Sequence, residues 1–281
     1  MPEGDTIFRA ARAMHLALSG QEVSRFETAY AHLDRVNVDT PIVGRTVVGV
    51  EAAGKHHLIV FSGDLVLRTH MRMHGSWHLY RHGEKWQRSP RSMRIRLDTA
   101  SWVAVGFNVP VAEFVTRKQL ATTDAVAKLG PDLLGKELDR DEAIRRLLAT
   151  GDQPIALSLL DQRVVAGLGN VYKSEVLFLA GVNPQTPASA MPKDTLERML
   201  DLARGLLRAN VRDDSSAQIQ TFRNLRRTSR SIDPSQNRWV YGRAGKPCRR
   251  CGAPIEVKKM GVEARSTYWC GRCQPVSTPT R

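Results

Sequence analysis

The spacing of apolar residues changes twice along this 281-residue chain. Near the start, Ile7, Ala11, Met14 and Leu18 recur at the interval that lines one face of a helix, and Gly20 offers a stop, which predicts a helix over residues 5–19. From about residue 42 to 115 the period shortens. Runs at 46–50, 58–61, 65–67, 93–97 and 102–105 are rich in Val, Ile and Leu and are separated by Gly, Ser and Asp, which predicts short strands packed as a sandwich. Beyond Thr116 the chain turns polar and then helical. Leu129-Gly130-Pro131-Asp132 reads as a turn, and helices are predicted over 141–149, 154–162, 170–180 and 192–211. Two β-prone triplets, Ile255-Glu256-Val257 and Thr267-Tyr268-Trp269, flank Gly261 as a hairpin would. The fold class is therefore α+β: an N-terminal β-sandwich flanked by helices, then a helical region, then a β-hairpin.

All four cysteines fall on that hairpin, as Cys248-x2-Cys251 and Cys270-x2-Cys273. Each C-x-x-C knuckle presents two soft ligands from one tight turn, so two knuckles fill the corners of a tetrahedral zinc site and leave no open position for catalysis. The alternative is a pair of disulfides, which belong to small exported domains. The start of the chain shows neither the basic stretch nor the apolar run of an export signal, and no apolar stretch is long enough to cross a bilayer. The expectation is a cytosolic protein, nuclear if the source is eukaryotic, holding one structural zinc ion.

Charge then narrows the partner. Lys and Arg number 42 against 28 Asp and Glu, a formal charge of +14, at ordinary globular composition. Residues 223–281 hold 14 of the basic residues and only three acids, so the excess concentrates on and beside the hairpin. A polyanionic partner is expected. One further motif, Ala166-Gly167-Leu168-Gly169-Asn170, sets two glycines before a helix, where backbone N–H groups can receive a phosphate and Asn170 can cap the helix or donate to that phosphate. By itself it also reads as a simple turn between helices.

Taken together, Met1-Pro2-Glu3-Gly4-Asp5-Thr6, Gly54-Lys55, Leu129-Gly130-Pro131-Asp132, Asp161-Gln162, Gly167-Leu168-Gly169-Asn170, Arg265 and Tyr268-Trp269-Cys270 stand in the order found in one family. The chain resembles the formamidopyrimidine-DNA glycosylase/endonuclease VIII family of base-excision repair enzymes over essentially its whole length. The resemblance implies a catalytic sandwich domain (1–120), a helix-two-turn-helix domain (121–235) and a zinc β-hairpin finger (236–281), working as a monomer on damaged duplex DNA, with single-stranded or bubble DNA left open.

It also implies roles for particular residues. Met1 is removed and the secondary amine of Pro2 attacks the sugar C1′, giving an iminium that serves as an electron sink. Glu3 protonates the sugar-ring oxygen, a task that requires the carboxyl to be buried or to share a proton with the Pro2 amine. Lys55 contacts phosphate and assists β-elimination, and Arg265 binds the flanking phosphates and promotes δ-elimination. Lys128 and Asn170 hold phosphates on the helical side. Arg72-Met73-His74 supply the wedge that fills the space left by the flipped nucleotide, with Met73 as the apolar plug; a Met packed inside the sandwich is the alternative.

Two departures bear on substrate. Oxidised-purine enzymes of the family carry a lysine where this chain has Ala156, and an Asp-Pro-Arg-Arg-Phe-Gly type segment where it has Phe107-Asn108-Val109-Pro110-Val111-Ala112. The expectation is therefore an oxidised-pyrimidine glycosylase and AP lyase of the endonuclease VIII branch. A purine-directed enzyme and a non-catalytic zinc-ribbon protein are the competing readings.

Overall fold

In a computed structural model, residues 3–211, 219–222 and 234–276 are described; Pro2 lies outside them. The chain divides into two compact units, at Lys128/Leu129.

The first unit begins with α1 (Gly4–Leu18), whose Ile7, Ala11, Met14 and Leu18 are all buried, on the register read from the sequence. Then follow β1 (Val23–Thr28), α2 (Ala31–Asp39), β2 (Val47–Ala53), β3 (His56–Phe61), β4 (Leu65–His70), β5 (Ser76–Tyr80), β6 (Met93–Thr99), β7 (Val103–Phe107), β8 (Val111–Val115), α3 (Arg117–Thr122) and α4 (Asp124–Ala127). The strands form two antiparallel four-stranded sheets, in the orders β2-β3-β4-β8 and β1-β6-β7-β5. Alternate residues of each strand point inward. Ile59, Phe61 and Leu67 of one sheet and Ile95, Leu97 and Ala104 of the other build one core with α1. The outward faces are covered too: Leu58, Val60 and Val66 pack with Leu120 of α3, while Tyr80, Val103, Val105 and Phe107 pack with Trp86 of the β5–β6 connection.

The second unit contains α5 (Arg140–Leu148), α6 (Ile155–Ser158), α7 (Asn170–Ala180), α8 (Lys193–Val211), β9 (Glu256–Met260) and β10 (Arg265–Trp269). The helix predicted over 154–162 is shorter, because the chain turns after Ser158 and the Asp161 carboxylate takes the Arg163 amide at 2.9 Å. Helix α8 is amphipathic and buries Leu196, Met199, Leu200, Ala203 and Leu207, whereas α7 is buried along almost its whole length. That burial places α7 at the centre of this unit. The hairpin β9–β10 pairs Trp269 with Glu256 and Arg265 with Met260, turning at Gly261. No described helix is long and apolar enough to cross a membrane.

Candidate nucleic-acid interface and catalytic residues

The four cysteine Sγ atoms lie within 4.8 Å of one another, with Cys248–Cys273 at 3.9 Å and Cys251–Cys270 at 3.5 Å. A disulfide needs about 2.05 Å, so these thiols are not bridged. Four Zn–S bonds of about 2.3 Å in a tetrahedron require sulfurs about 3.8 Å apart, and the cluster fits that requirement. Local hydrogen bonds shape both knuckles. Gly252 N donates to Cys248 O, the Arg250 amide reaches Cys248 Sγ, and buried Gln274 accepts from Cys270 N while its own amide donates to Val182 O at 2.7 Å. Gln274 thus ties the second knuckle to the segment after α7.

The glycine-framed turn is held by an interlock. Gln162 Nε2 donates to Leu160 O and Leu168 O, and its Oε1 accepts from Gly167 N. Residues 130–133 run beside 162–166 through Gly130 N to Gln162 O, Ala166 N to Pro131 O and Leu133 N to Ala166 O. A Cβ on Gly130 would stand 2.4 Å from Val164 O, so only glycine permits this approach. Leu129-Gly130-Pro131-Asp132 and Asp161-Gln162 therefore serve as the frame of the turn that presents Asn170.

Asn170 is the first residue of α7; the cap position is Gly169, so Asn170 does not cap the helix. Its side chain is nearly buried and Nδ2 donates to Ser266 O at 2.9 Å, next to Arg265 on β10. Two buried charges behind it were not identified from the sequence. The ammonium of Lys173 reaches Asn170 Oδ1 and Thr267 Oγ1. The carboxylate of Glu175 accepts from the backbone N–H groups of Trp239, Val240 and Tyr241, and from the Thr221 hydroxyl. Helix α7 thus holds the finger's strand on one side and the segment leading to the finger on the other. Arg265 is partly exposed, and its Nε and Nη2 both lie 2.8 Å from one carboxylate oxygen of Glu263, Oε2.

In the first unit Glu3 occupies the N-cap of α1, is fully buried, and accepts Ile7 N on its backbone oxygen at 3.0 Å. Lys55 stands half-exposed at the β2–β3 turn after Gly54, which has φ +56°. Its positive charge, after burial, helps depress the His70 imidazole to about 4, and burial likewise holds His57 at about 4. These rings are neutral at physiological pH. The turn after β4 places Arg72, Met73 and His74 in solvent, with Met73 46% exposed, while Met71 is the methionine buried in the sandwich. Met73 is therefore not a core residue. Together with Tyr30, Arg94 and Asn108 these three line a groove. A Cβ on Gly75 would meet Met71 O at 2.7 Å, which fixes the turn. Lys128 lies at the end of this unit, exposed, and its ammonium is paired with Asp124 at 2.7 Å.

Residues 1–122 match the model of the formamidopyrimidine-DNA glycosylase N-terminal domain, 129–221 that of the formamidopyrimidine-DNA glycosylase H2TH domain, and 245–276 that of a zinc finger found in FPG and IleRS. A Streptomyces coelicolor protein named probable endonuclease 8 2 is 40% identical, over 99% of this chain and 96% of its own length. The chain belongs to the formamidopyrimidine-DNA glycosylase/endonuclease VIII family. A second member, from Mycolicibacterium smegmatis and named DNA-(apurinic or apyrimidinic site) lyase Nei2, is 38% identical over 99% of this chain and 100% of its own. The family's fold is shared with Lactococcus lactis formamidopyrimidine DNA glycosylase, solved non-covalently bound to DNA containing an AP site. That structure has a TM-score of 0.79 at 22% identity, covering 98% of this chain and 100% of that one. The family's zinc finger and the thiol geometry agree, and the cysteines are the ligand set of one structural zinc.

Proposed function

We propose that this family member is a bifunctional DNA glycosylase and AP lyase of base excision repair that removes oxidised pyrimidines and nicks the abasic site by β,δ-elimination. The observation that carries the reading is the start of the chain: a proline at position 2 followed by a fully buried glutamate at the N-cap of α1. Once Met1 is removed, the Pro2 nitrogen is a secondary amine. Its attack on C1′ expels the base, and loss of the ring oxygen as a leaving group gives an iminium, with Glu3 as the acid that protonates that oxygen. The iminium accepts the electron pair released when a C2′ proton leaves, and the 3′ and then the 5′ phosphate depart.

Lys55 and Arg265 supply positive charge to those phosphates, and Asn170 offers the second N–H of its amide, the first being used on Ser266. The enzyme acts as a monomer. Met73 fills the vacated stack, with Arg72 and His74 beside it; its exposure supports this use. Lys128, paired and exposed, contributes at most a peripheral phosphate contact. The pyrimidine branch is supported by Ala156, which is wholly buried in α6, where the purine enzymes' lysine would need a partner.

Borohydride reduction in the presence of duplex DNA with an abasic site is expected to lock the Met1-processed protein to the DNA. Absence of an adduct overturns the catalytic reading and leaves a DNA-binding protein. Normal trapping by protein whose N-terminal amine has been acetylated would move the nucleophile elsewhere. Release of 8-oxoguanine in preference to thymine glycol would overturn the branch assignment.

A further inference from the structure

The positive charge of the first unit is unevenly spread along its chain. Residues 81–92, which join β5 to β6, hold four Lys and Arg and one acid, whereas the rest of 1–128 holds thirteen basic and eleven acidic residues. The connection between β5 and β6 therefore carries three of that unit's five surplus positive charges.

This connection is ordered. The Arg81 guanidinium lies 3.6 Å over the Trp102 ring and His82 Nε2 bonds Thr99 O at 2.7 Å. Trp86 packs on Tyr80 and Phe107, Gln87 N donates to Tyr80 Oη, and Ser89 caps a single 3-10 turn, Pro90–Ser92, that begins with proline. Three cations stand out from this frame at intervals of three residues: Lys85, Arg88 and Arg91. All are exposed, and among the described residues none of the three lies within ion-pair distance of a carboxylate. Arg96, by contrast, is matched to Asp98.

The row ends at the groove. Asn108 N donates to Ser92 O at 2.8 Å, and Asn108 lines the groove with Arg72, Met73 and Arg94. We infer that Lys85, Arg88 and Arg91 form a second phosphate-binding surface, which holds the DNA backbone of the duplex beyond the segment engaged at the groove. The inference rests on the reading of that groove as the DNA-facing wedge. Its chemistry is that of a preorganised cation row: no carboxylate must be displaced, the backbone is already fixed, and each contact releases condensed counterions.

The salt dependence of binding tests it. For an undamaged 30-base-pair duplex, K85Q/R88Q/R91Q should flatten the plot of log K against log salt by about 2 to 3, because each lost phosphate contact is worth about 0.9 in slope. R88Q and R91Q singly should each flatten it by about 1. The triple R35Q/R117Q/K118Q removes the same charge from exposed positions of the same unit and should leave the slope where it was. An unchanged slope in the first triple, or an equal change in the second, overturns the proposal. Borohydride trapping on the unaltered protein separates the two claims: an adduct with an unchanged slope removes only the cation row, whereas a flattened slope without an adduct removes only the catalytic reading.

Discussion

Lys173 Nζ sits 2.6 Å from Thr267 Oγ1 and 2.7 Å from Asn170 Oδ1, so a single buried ammonium joins the start of α7 to the finger's second strand, 94 residues away. The consequence is that Asn170 and Arg265 are parts of one rigid junction. Lys173→Met keeps the stem and removes the donor, leaving two buried acceptors unsatisfied. Unfolding in denaturant should show a loss of about 1–3 kcal/mol, together with weaker binding of abasic-site DNA. A variant as stable as the parent would show that the ammonium is not a fastener.

Glu175 fastens the other side of α7. Replacing it by Ala removes the acceptor shared by the N–H groups of residues 239–241, at about 1–3 kcal/mol for each group left buried without a partner. Zinc release to a competing chelator should be markedly faster in Glu175→Ala than in the parent. Equal release rates would mean that the segment holds the finger without the carboxylate.

A phosphate arriving at Arg265 competes with Glu263 for the Nε and Nη2 donors. The pair is largely exposed and worth about 0–1 kcal/mol, so Glu263→Gln should tighten DNA binding at low salt by up to about fivefold. The gain should fade as salt screens the site. Weaker binding in the variant would mean that Glu263 orients the guanidinium for DNA rather than competing for it.

His57 makes stability depend on pH. Its ring is buried against the backbone at Ile7, and burial lowers the folded-state value from 6.5 to about 4. The unfolded chain therefore takes up a proton that the folded chain refuses. The stability is full above pH 6.5 and drains away as pH falls from there to 4, by roughly 3 kcal/mol for this group. His57→Leu should flatten the fall of the melting temperature across that window, with a residual slope from His56 and His70, which burial also lowers. An identical acid limb in the variant would place the loss elsewhere.

Local spacing revealed what local physics determines. The face of α1, the extents of α7 and α8, the hairpin about Gly261 and the cysteine quartet were all legible, because each depends on residues a few positions apart. Helix α2 was not, since it buries only Leu33 and so lacks a periodic stripe. The partners of α7 were hidden for another reason. Lys173 and Glu175 look like surface charges in a helix, and only the fold reveals that Thr267 and residues 239–241 meet them. Gln274, two residues before the described end, carries no sign in the sequence that it supports a knuckle. The motif around Leu129-Gly130-Pro131-Asp132 was visible, but its purpose as the frame of a distant turn was not.

The interlock at Gly130 has a practical corollary for anyone wishing to redirect this scaffold. A turn held by backbone contact at that distance tolerates little exchange, so the Asn170 side offers poor ground for altering what is recognised. The two turns that line the groove are different. Gly75 and the left-handed residues Arg72 and Asn108 set the path of their backbone, while Arg72, Met73 and His74 project from it with no duty in the core. Libraries confined to those projecting positions would vary the tool without loosening the handle.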